Sequence, residues 1–181
     1  MPRYLAFLRG INLGRRRVKM DSLRDLFAEL GFRGVETFIA SGNVIFEERA
    51  CDPRRLAGRI SAHLEARLGY GVDTFVRSSG EISALAAARP FAAADMTDEN
   101  TIHVGFLAAP LPPAQARGLI ACNRASDEFR LSDDNFFWLY RGRKSSDSDI
   151  WAAPAVRALR LPSFTLRNRT TIRKLAELHP A

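Results

Sequence analysis

The chain has 181 residues, of which 46% are hydrophobic, 26% charged and 9% aromatic. These proportions are typical of a globular protein and exclude a disordered or collagen-like chain. No apolar run approaches the roughly 18 to 20 residues of a membrane helix, and the N-terminal apolar segment is too short for a secretory signal peptide. We therefore expect a cytoplasmic protein without a membrane partner.

The net charge is +7 and the isoelectric point is about 10.2. This balance favours anionic partners such as nucleic acid or phosphate-bearing ligands. The alternative is codon bias, because arginine supplies almost all of the basic residues and the chain is also rich in alanine, as in proteins of GC-rich genomes. Arg15, Arg16, Arg17 and Lys19 form the densest basic run and are the candidate nucleic-acid contacts.

Metal-ligating residues show no site pattern. Cys51 and Cys122 lie far apart in sequence, as do the three histidines, so no zinc spacing exists. A structural disulfide is not expected in a reducing cytosol. We expect neither a metal nor a cofactor.

Hydrophobic periodicity in the first part of the chain predicts alternating strands and helices. The predicted elements are a strand at 4–8, a helix from 20 to 30, strands at 35–40 and 44–47, a helix from 53 to 68 and a strand at 72–76. Pro53 and Gly69 bound the second helix with the residues preferred at a helix start and after a helix end. The order βαββαβ is the ferredoxin-like pattern and predicts a first α+β subdomain over residues 1–78.

A similar order of elements follows in residues 79–181. After a short helix near 81–88, we predict a strand at 101–107, a helix at 113–123, strands at 127–131 and 135–140, a helix at 150–159, a strand at 163–167 and a helix at 170–178. Asp133 and Asp134 mark the hairpin between the two middle strands. The fold class is therefore α+β with two subdomains of similar order, although no repeat of individual residues is visible.

The ferredoxin-like topology brings two polar loops together. The first and third strands are antiparallel neighbours, so the loop 9–14 is expected beside the turn 41–43. Arg9, Asn12, Ser41 and Asn43 would then surround one anion-binding edge of the sheet. The alternative is that both loops are tight turns in which glycines supply positive φ and Asn43 closes the hairpin.

Arg167 and Asn168 form a third candidate block where the last strand meets the last helix. An Arg-Asn pair beside a helix N-terminus favours an anion, and the alternative is a capping residue beside solvated arginines. We expect this block and the first loop to face one cleft between the subdomains.

Three blocks of sequence resemble a known family. They are the segments 8–14, 37–46 and 165–175, which read LRGINLG, TFIASGNVIF and TLRNRTTIRKL. Their order and spacing are similar to those of the bacterial family catalogued as domain of unknown function 1697. The resemblance implies two α+β subdomains, the first ferredoxin-like, and implies no activity. Members often have Trp where this chain has Arg169, Gly where it has Arg15, and Lys where it has Ser146.

Common enzyme signatures are absent, so no catalytic residue is assigned and whether the protein is an enzyme stays open. Gly142-Arg143-Lys144-Ser145 lacks the glycines of a P-loop, and Ser41 lacks the glycine of a nucleophile elbow. We expect a protein that binds a small anionic, for example phosphate-bearing, ligand through Arg9, Asn12, Ser41, Asn43, Arg167 and Asn168. The alternative is a nucleic-acid-binding module that uses its basic surface.

Overall fold

The computed structural model describes residues 1–12, 14, 17–39 and 42–181. Its strands are β1 (Arg3–Arg9), β2 (Arg33–Phe38), β3 (Asn43–Glu47), β4 (Asp73–Ser78), β5 (Thr101–Leu107), β6 (Asp127–Ser132), β7 (Asn135–Tyr140) and β8 (Phe164–Asn168). Its helices are α1 (Met20–Glu29), α2 (Pro53–Leu68), α3 (Ser79–Ala87), α4 (Pro113–Ala121), α5 (Pro154–Ala158) and α6 (Arg169–Leu178). Short 3₁₀ turns lie at Ala93–Asp95, Ser145–Asp147 and Ile150–Ala152.

These elements form two compact units. The first unit comprises Met1–Ala84 together with Lys174–Ala181, and the second comprises Leu85–Arg173. Each unit contains one four-stranded antiparallel sheet, as the α+β prediction required. The helix α6 thus begins in the second unit and ends in the first.

The sheet of the first unit has the strand order β2-β3-β1-β4. One face of β1 packs against α1 and α2 because their apolar side chains recur with helical spacing, as Leu56, Ile60 and Leu64 do on α2. Asp52 caps α2 by accepting a hydrogen bond from the Arg54 amide at 2.9 Å. The ferredoxin-like order predicted for this part of the chain is confirmed.

The sheet of the second unit has the order β6-β7-β5-β8, which is the same topology. Its core is aromatic: Trp151 packs edge-on against Trp138 and Phe129, with ring centroids 5.3 Å apart in both pairs. The helix predicted at 150–159 is interrupted. A 3₁₀ turn ends at Ala152, Ala153 is extended, and α5 begins at Pro154, because a residue before proline is sterically excluded from the helical region.

Strand register shows which positions of the two units are equivalent. Phe7 of β1 pairs with Asn43 and Phe75, whereas Phe106 of β5 pairs with Asn135 and Thr165. Continuing along these strands gives the equivalent pairs Asn43 and Asn135, Arg77 and Arg167, and Ser78 and Asn168. The repeat that was invisible in the sequence is therefore present in the structure, because topology tolerates almost any sequence that keeps the alternation of buried and exposed residues.

Candidate anion-binding site

The first two sequence blocks meet as predicted. The Leu8 amide donates a hydrogen bond of 2.8 Å to the Gly42 carbonyl, so the loop after β1 lies beside the β2–β3 turn. A Cβ at Gly42 would lie 3.0 Å from Ile11 Cγ2 and 3.1 Å from Leu8 Cβ, and the φ of Gly42 is +73°. Glycine is needed at this position for both reasons.

Polar side chains of these loops make intramolecular contacts. Asn12 Oδ1 accepts a hydrogen bond of 2.7 Å from the Val18 amide, and the buried Asn43 donates from Nδ2 to the Phe38 carbonyl at 3.0 Å. Arg9 is exposed at the end of β1, opposite Asp73 of β4. These contacts give Asn12 and Asn43 a role in shaping the loops.

Three of the predicted contact residues lie outside the described part of the chain. They are Ser41 of the anion-site prediction and Arg15 and Arg16 of the basic run. The other two members of that run, Arg17 and Lys19, are exposed immediately before α1.

The third block separates into one buried and one accessible residue. Arg167 is buried, and its Nη1 donates to Thr165 Oγ1 at 2.7 Å and to the Leu166 carbonyl at 2.8 Å. Burial lowers the pKa of Arg167 to about 10. Asn168 Oδ1 accepts from the Thr170 amide at 2.8 Å and so caps the start of α6.

The equivalent positions of the first unit have the same local chemistry. Arg77 is buried on β4, and its Nη1 donates to the Val76 carbonyl at 2.8 Å, as Arg167 does to its own neighbour. Ser78 is the equivalent of Asn168 and caps α3, but in this unit the Glu81 side chain also contacts the capping residue. Glu81 Oε2 accepts from the Ser78 amide and hydroxyl, at 2.7 Å each. A carboxylate therefore occupies the start of this helix.

A polar cavity lies at the start of α6 in the second unit. Its volume is about 250 Å³, and it is lined by Met96, Thr97, Asp98, Asn100, Thr101, Ile102, Arg143, Asn168, Arg169, Thr170 and Arg173. We call it the polar cavity. Its described lining comes from the second unit alone and includes Asn168 but neither Arg9 nor Asn12.

A second cavity adjoins it. This cavity measures about 320 Å³ and is lined by Ala86, Ala87, Arg89, Ala93, Met96, Arg169 and Arg173. We call it the alanine cavity. The two cavities share three residues, Met96, Arg169 and Arg173, and Arg169 and Arg173 lie four positions apart on one side of α6.

Arginine charge dominates both cavities. Arg169 Nη2 donates to the carbonyls of Ala86 and Ala88, at 3.4 and 3.2 Å, while its buried Nε has no hydrogen-bond partner in the described structure. Burial, followed by the charges of Arg173 and Arg89, lowers the pKa of Arg169. Three like charges are therefore held close together.

The arginines that line the two cavities differ in whether a carboxylate pairs with them. Arg143 is paired with Glu99, with Nε 2.9 Å from Oε2 and a second contact through Nη2. Among the described residues, no carboxylate forms an ion pair with Arg89, Arg169 or Arg173, although Asp98 lines the polar cavity. The cavities thus present positive charge to a ligand.

The sequence prediction did not include Arg89, Arg143, Arg169 or Arg173 among the ligand-binding residues. The available signal was the four-residue spacing of Arg173 and Arg169, which directly precedes the helix predicted at 170–178, because residues four apart on a helix share one face. Arg89 and Arg143 come from separate loops, and no sequence pattern links them to this helix.

The described residues contain neither a cluster of metal-ligating side chains nor a membrane-spanning helix. In residues 1–12, 14, 17–39 and 42–181, no three metal-ligating side chains cluster. No helix in the same residues is long and apolar enough to cross a membrane.

Comparisons with known proteins identify the family and the fold. Residues 1–137 match the family described as "Protein of unknown function (DUF1697)", a segment that includes the first two sequence blocks and ends before the third. The conserved bacterial protein SP0830 from Streptococcus pneumoniae has a similar fold, with a TM-score of 0.75 and 22% identity over 98% of each chain. No curated protein matches the sequence. Because the family match covers well over half of its residues, the chain belongs to the DUF1697 family.

Proposed function

We propose that this protein binds a small anionic ligand, of which phosphate compounds are the best candidates, in the arginine-lined cavities of its second unit. The observation that carries the proposal is that Arg89, Arg169 and Arg173 border these cavities without an ion pair to a described carboxylate. Guanidinium groups bind phosphate and carboxylate oxygens in paired hydrogen bonds. An oxyanion would offset the repulsion among these three side chains.

The comparison between units supports the same ligand chemistry. At the start of α3, the Glu81 carboxylate accepts hydrogen bonds at the helix N-terminus. Thr171 takes the equivalent position in α6, and the first turn of α6 contains no acidic residue. An external anion would supply at α6 the negative charge that Glu81 supplies at α3.

Isothermal titration with inorganic phosphate and sulfate tests the proposal, with thermal shift as a second readout. The variants are Arg169→Gln and Arg173→Gln, and the matched control is Lys174→Gln, which removes a charge from the next exposed position of α6 outside both cavities. A charge-assisted hydrogen bond contributes about 1.5–3 kcal/mol. We therefore expect each arginine variant to weaken binding by roughly 10- to 100-fold.

The control variant should keep its affinity within about twofold, because surface charges outside a binding site contribute little. Equal losses in all three variants would indicate nonspecific attraction to a basic protein. Absence of any heat or thermal shift with either anion in the parent protein would refute the proposal.

Nucleic acid is the alternative partner. The exposed positions of Arg17 and Lys19 and the net charge of +7 favour it. The affinity for duplex DNA should then fall steeply as the salt concentration rises. The logarithm of the binding constant should decrease linearly with the logarithm of the salt concentration, with a slope of about 0.9 in magnitude for each phosphate contacted. Fluorescence anisotropy over a salt series decides: the variant Arg17→Gln/Lys19→Gln should reduce the slope, whereas Arg173→Gln should leave it unchanged.

A further inference from the structure

The two arginine-lined cavities are arranged as neighbouring compartments. Arg169 and Arg173 line both cavities, whereas Arg143 lines only the polar cavity and Arg89 only the alanine cavity. Two shared cations therefore stand between compartments that each have a further cation of their own. A single oxyanion in the polar cavity would leave Arg89, which lines only the alanine cavity, without a negative group in its own compartment.

We propose that the ligand carries two linked anionic groups, such as a diphosphate, with one group in each cavity and Arg169 and Arg173 contacting both. This inference rests on the proposed anion-binding function and specifies the class of ligand. Each linked oxyanion would face at least three arginines, one of them specific to its compartment.

The charges of the lining residues support two anionic groups. Glu99 offsets the charge of Arg143, and Asp98 places one negative charge at the polar cavity. Arg89, Arg169 and Arg173 contribute three positive charges, so the lining keeps an excess of two after Asp98 is counted. This excess exceeds what one monoanionic group would neutralise, and a diphosphate supplies negative charge on both sides of the shared pair.

The two compartments also differ in the chemistry of their remaining walls. Thr97, Asn100, Thr101 and Thr170 give the polar cavity hydroxyl and amide groups that can donate to oxyanion oxygens. The alanine cavity has Ala86, Ala87, Ala93 and Met96 instead. Its anionic group would therefore depend on arginine alone, which makes Arg89 the residue that distinguishes a two-group ligand from a one-group ligand.

The test compares inorganic phosphate with pyrophosphate by isothermal titration on the parent protein, Arg89→Gln and the control Lys174→Gln. We expect the parent to bind pyrophosphate about tenfold or more tightly than phosphate, since a second charge-assisted contact is added. Arg89→Gln should weaken pyrophosphate binding more than phosphate binding and so remove most of that advantage. Lys174→Gln should preserve the advantage, which controls for general attraction of the more highly charged ion.

Two results would overturn the inference in different ways. If phosphate and pyrophosphate bind the parent equally, or if Arg89→Gln and Lys174→Gln weaken pyrophosphate to the same extent, the ligand does not bridge the cavities and anion binding itself stands. If neither anion binds the parent, the proposed function and this inference both fail.

Discussion

The third strand of each unit begins with a buried asparagine, and these two asparagines are equivalent in the two sheets. Asn43 opens β3 and Asn135 opens β7, with 1% and 7% of their surfaces exposed. Asn43 Nδ2 donates to the Phe38 carbonyl across the hairpin. In the second unit, Asn135 Nδ2 donates to Asp134 Oδ1 at 3.1 Å. A buried amide at this position satisfies turn groups that would otherwise lose their hydrogen bonds to water.

Asn43→Asp should destabilise the fold. The substitution replaces the donating amide with a carboxylate that faces the Phe38 carbonyl, so a buried hydrogen bond becomes a repulsion between two acceptors. We expect a loss of about 1–3 kcal/mol in the free energy of unfolding at neutral pH. Urea denaturation followed by circular dichroism measures it.

Lowering the pH provides the control for Asn43→Asp. Burial raises the pKa of a carboxylic acid, and the protonated acid can again donate to the carbonyl. The difference in stability between parent and variant should therefore be smaller at about pH 4.5 than at neutral pH. A loss that is the same at both pH values, or no loss at neutral pH, would contradict the donor role of Asn43.

At the scale of elements, one buried carboxylate joins the β6–β7 hairpin to the segment before α5. Asp127 Oδ1 accepts from Trp138 Nε1 at 2.9 Å and from Ser148 Oγ at 2.6 Å. Its Oδ2 accepts from Ser126 Oγ at 2.8 Å and from Arg124 Nε at 2.9 Å. Burial raises the pKa of Asp127, and the hydrogen bonds from Ser148, Ser126, Trp138 and Arg124 outweigh it, so the net pKa is lowered.

Asp127→Asn should therefore destabilise the second unit by about 3 kcal/mol, because its NH₂ group would face donors and Arg124 would lose a buried partner. The matched control is Asp133→Asn in the exposed turn of the same hairpin, where φ is +48° and asparagine is well tolerated. We expect the control to change stability by less than about 0.5 kcal/mol. Urea denaturation monitored by tryptophan fluorescence compares them, and equal losses would refute the network.

At the scale of the whole molecule, a half-buried histidine predicts how stability depends on pH. His103 stacks on Trp138 with ring centroids 5.1 Å apart, and its buried Nδ1 has no hydrogen-bond partner in the described structure. Burial lowers the pKa of His103 from 6.5 to about 4. The unfolded chain consequently binds more protons than the folded chain between these two pKa values.

Stability should fall as the pH decreases from 6.5 to about 4, by on the order of 3 kcal/mol for His103. Asp127 acts in a different window, because its stabilisation is complete above 3.8 and is lost only as the pH falls further. His103→Phe should keep the stacking on Trp138 and flatten the slope between pH 7 and about 4.5. A residual slope is expected from His179, whose pKa burial also lowers. An unchanged slope in urea denaturation would contradict this assignment.

The sequence by itself predicted the order and type of nearly all helices and strands. Periodicity sufficed because each sheet buries one face under amphipathic helices, as the spacing of Leu56, Ile60 and Leu64 illustrates. It also predicted that the loop after β1 meets the β2–β3 turn, since this follows from the ferredoxin-like topology. The helix predicted at 150–159 was wrong in its first half, because the effect of Pro154 on the preceding residue outweighed the apolar spacing.

Tertiary structure alone decided which polar residues surround a cavity. Arg167 was assigned to the ligand site from its motif, but the alternation of side chains along β8 buries it. Arg169, two residues later at the start of α6, lines both cavities instead. Arg89, Arg143 and Arg173 come from a loop, a turn and a helix that are distant in sequence. Local patterns record periodicity within an element, whereas a binding site depends on long-range packing that brings separate elements together, so the fold could be inferred from the sequence and the arginine cluster could not.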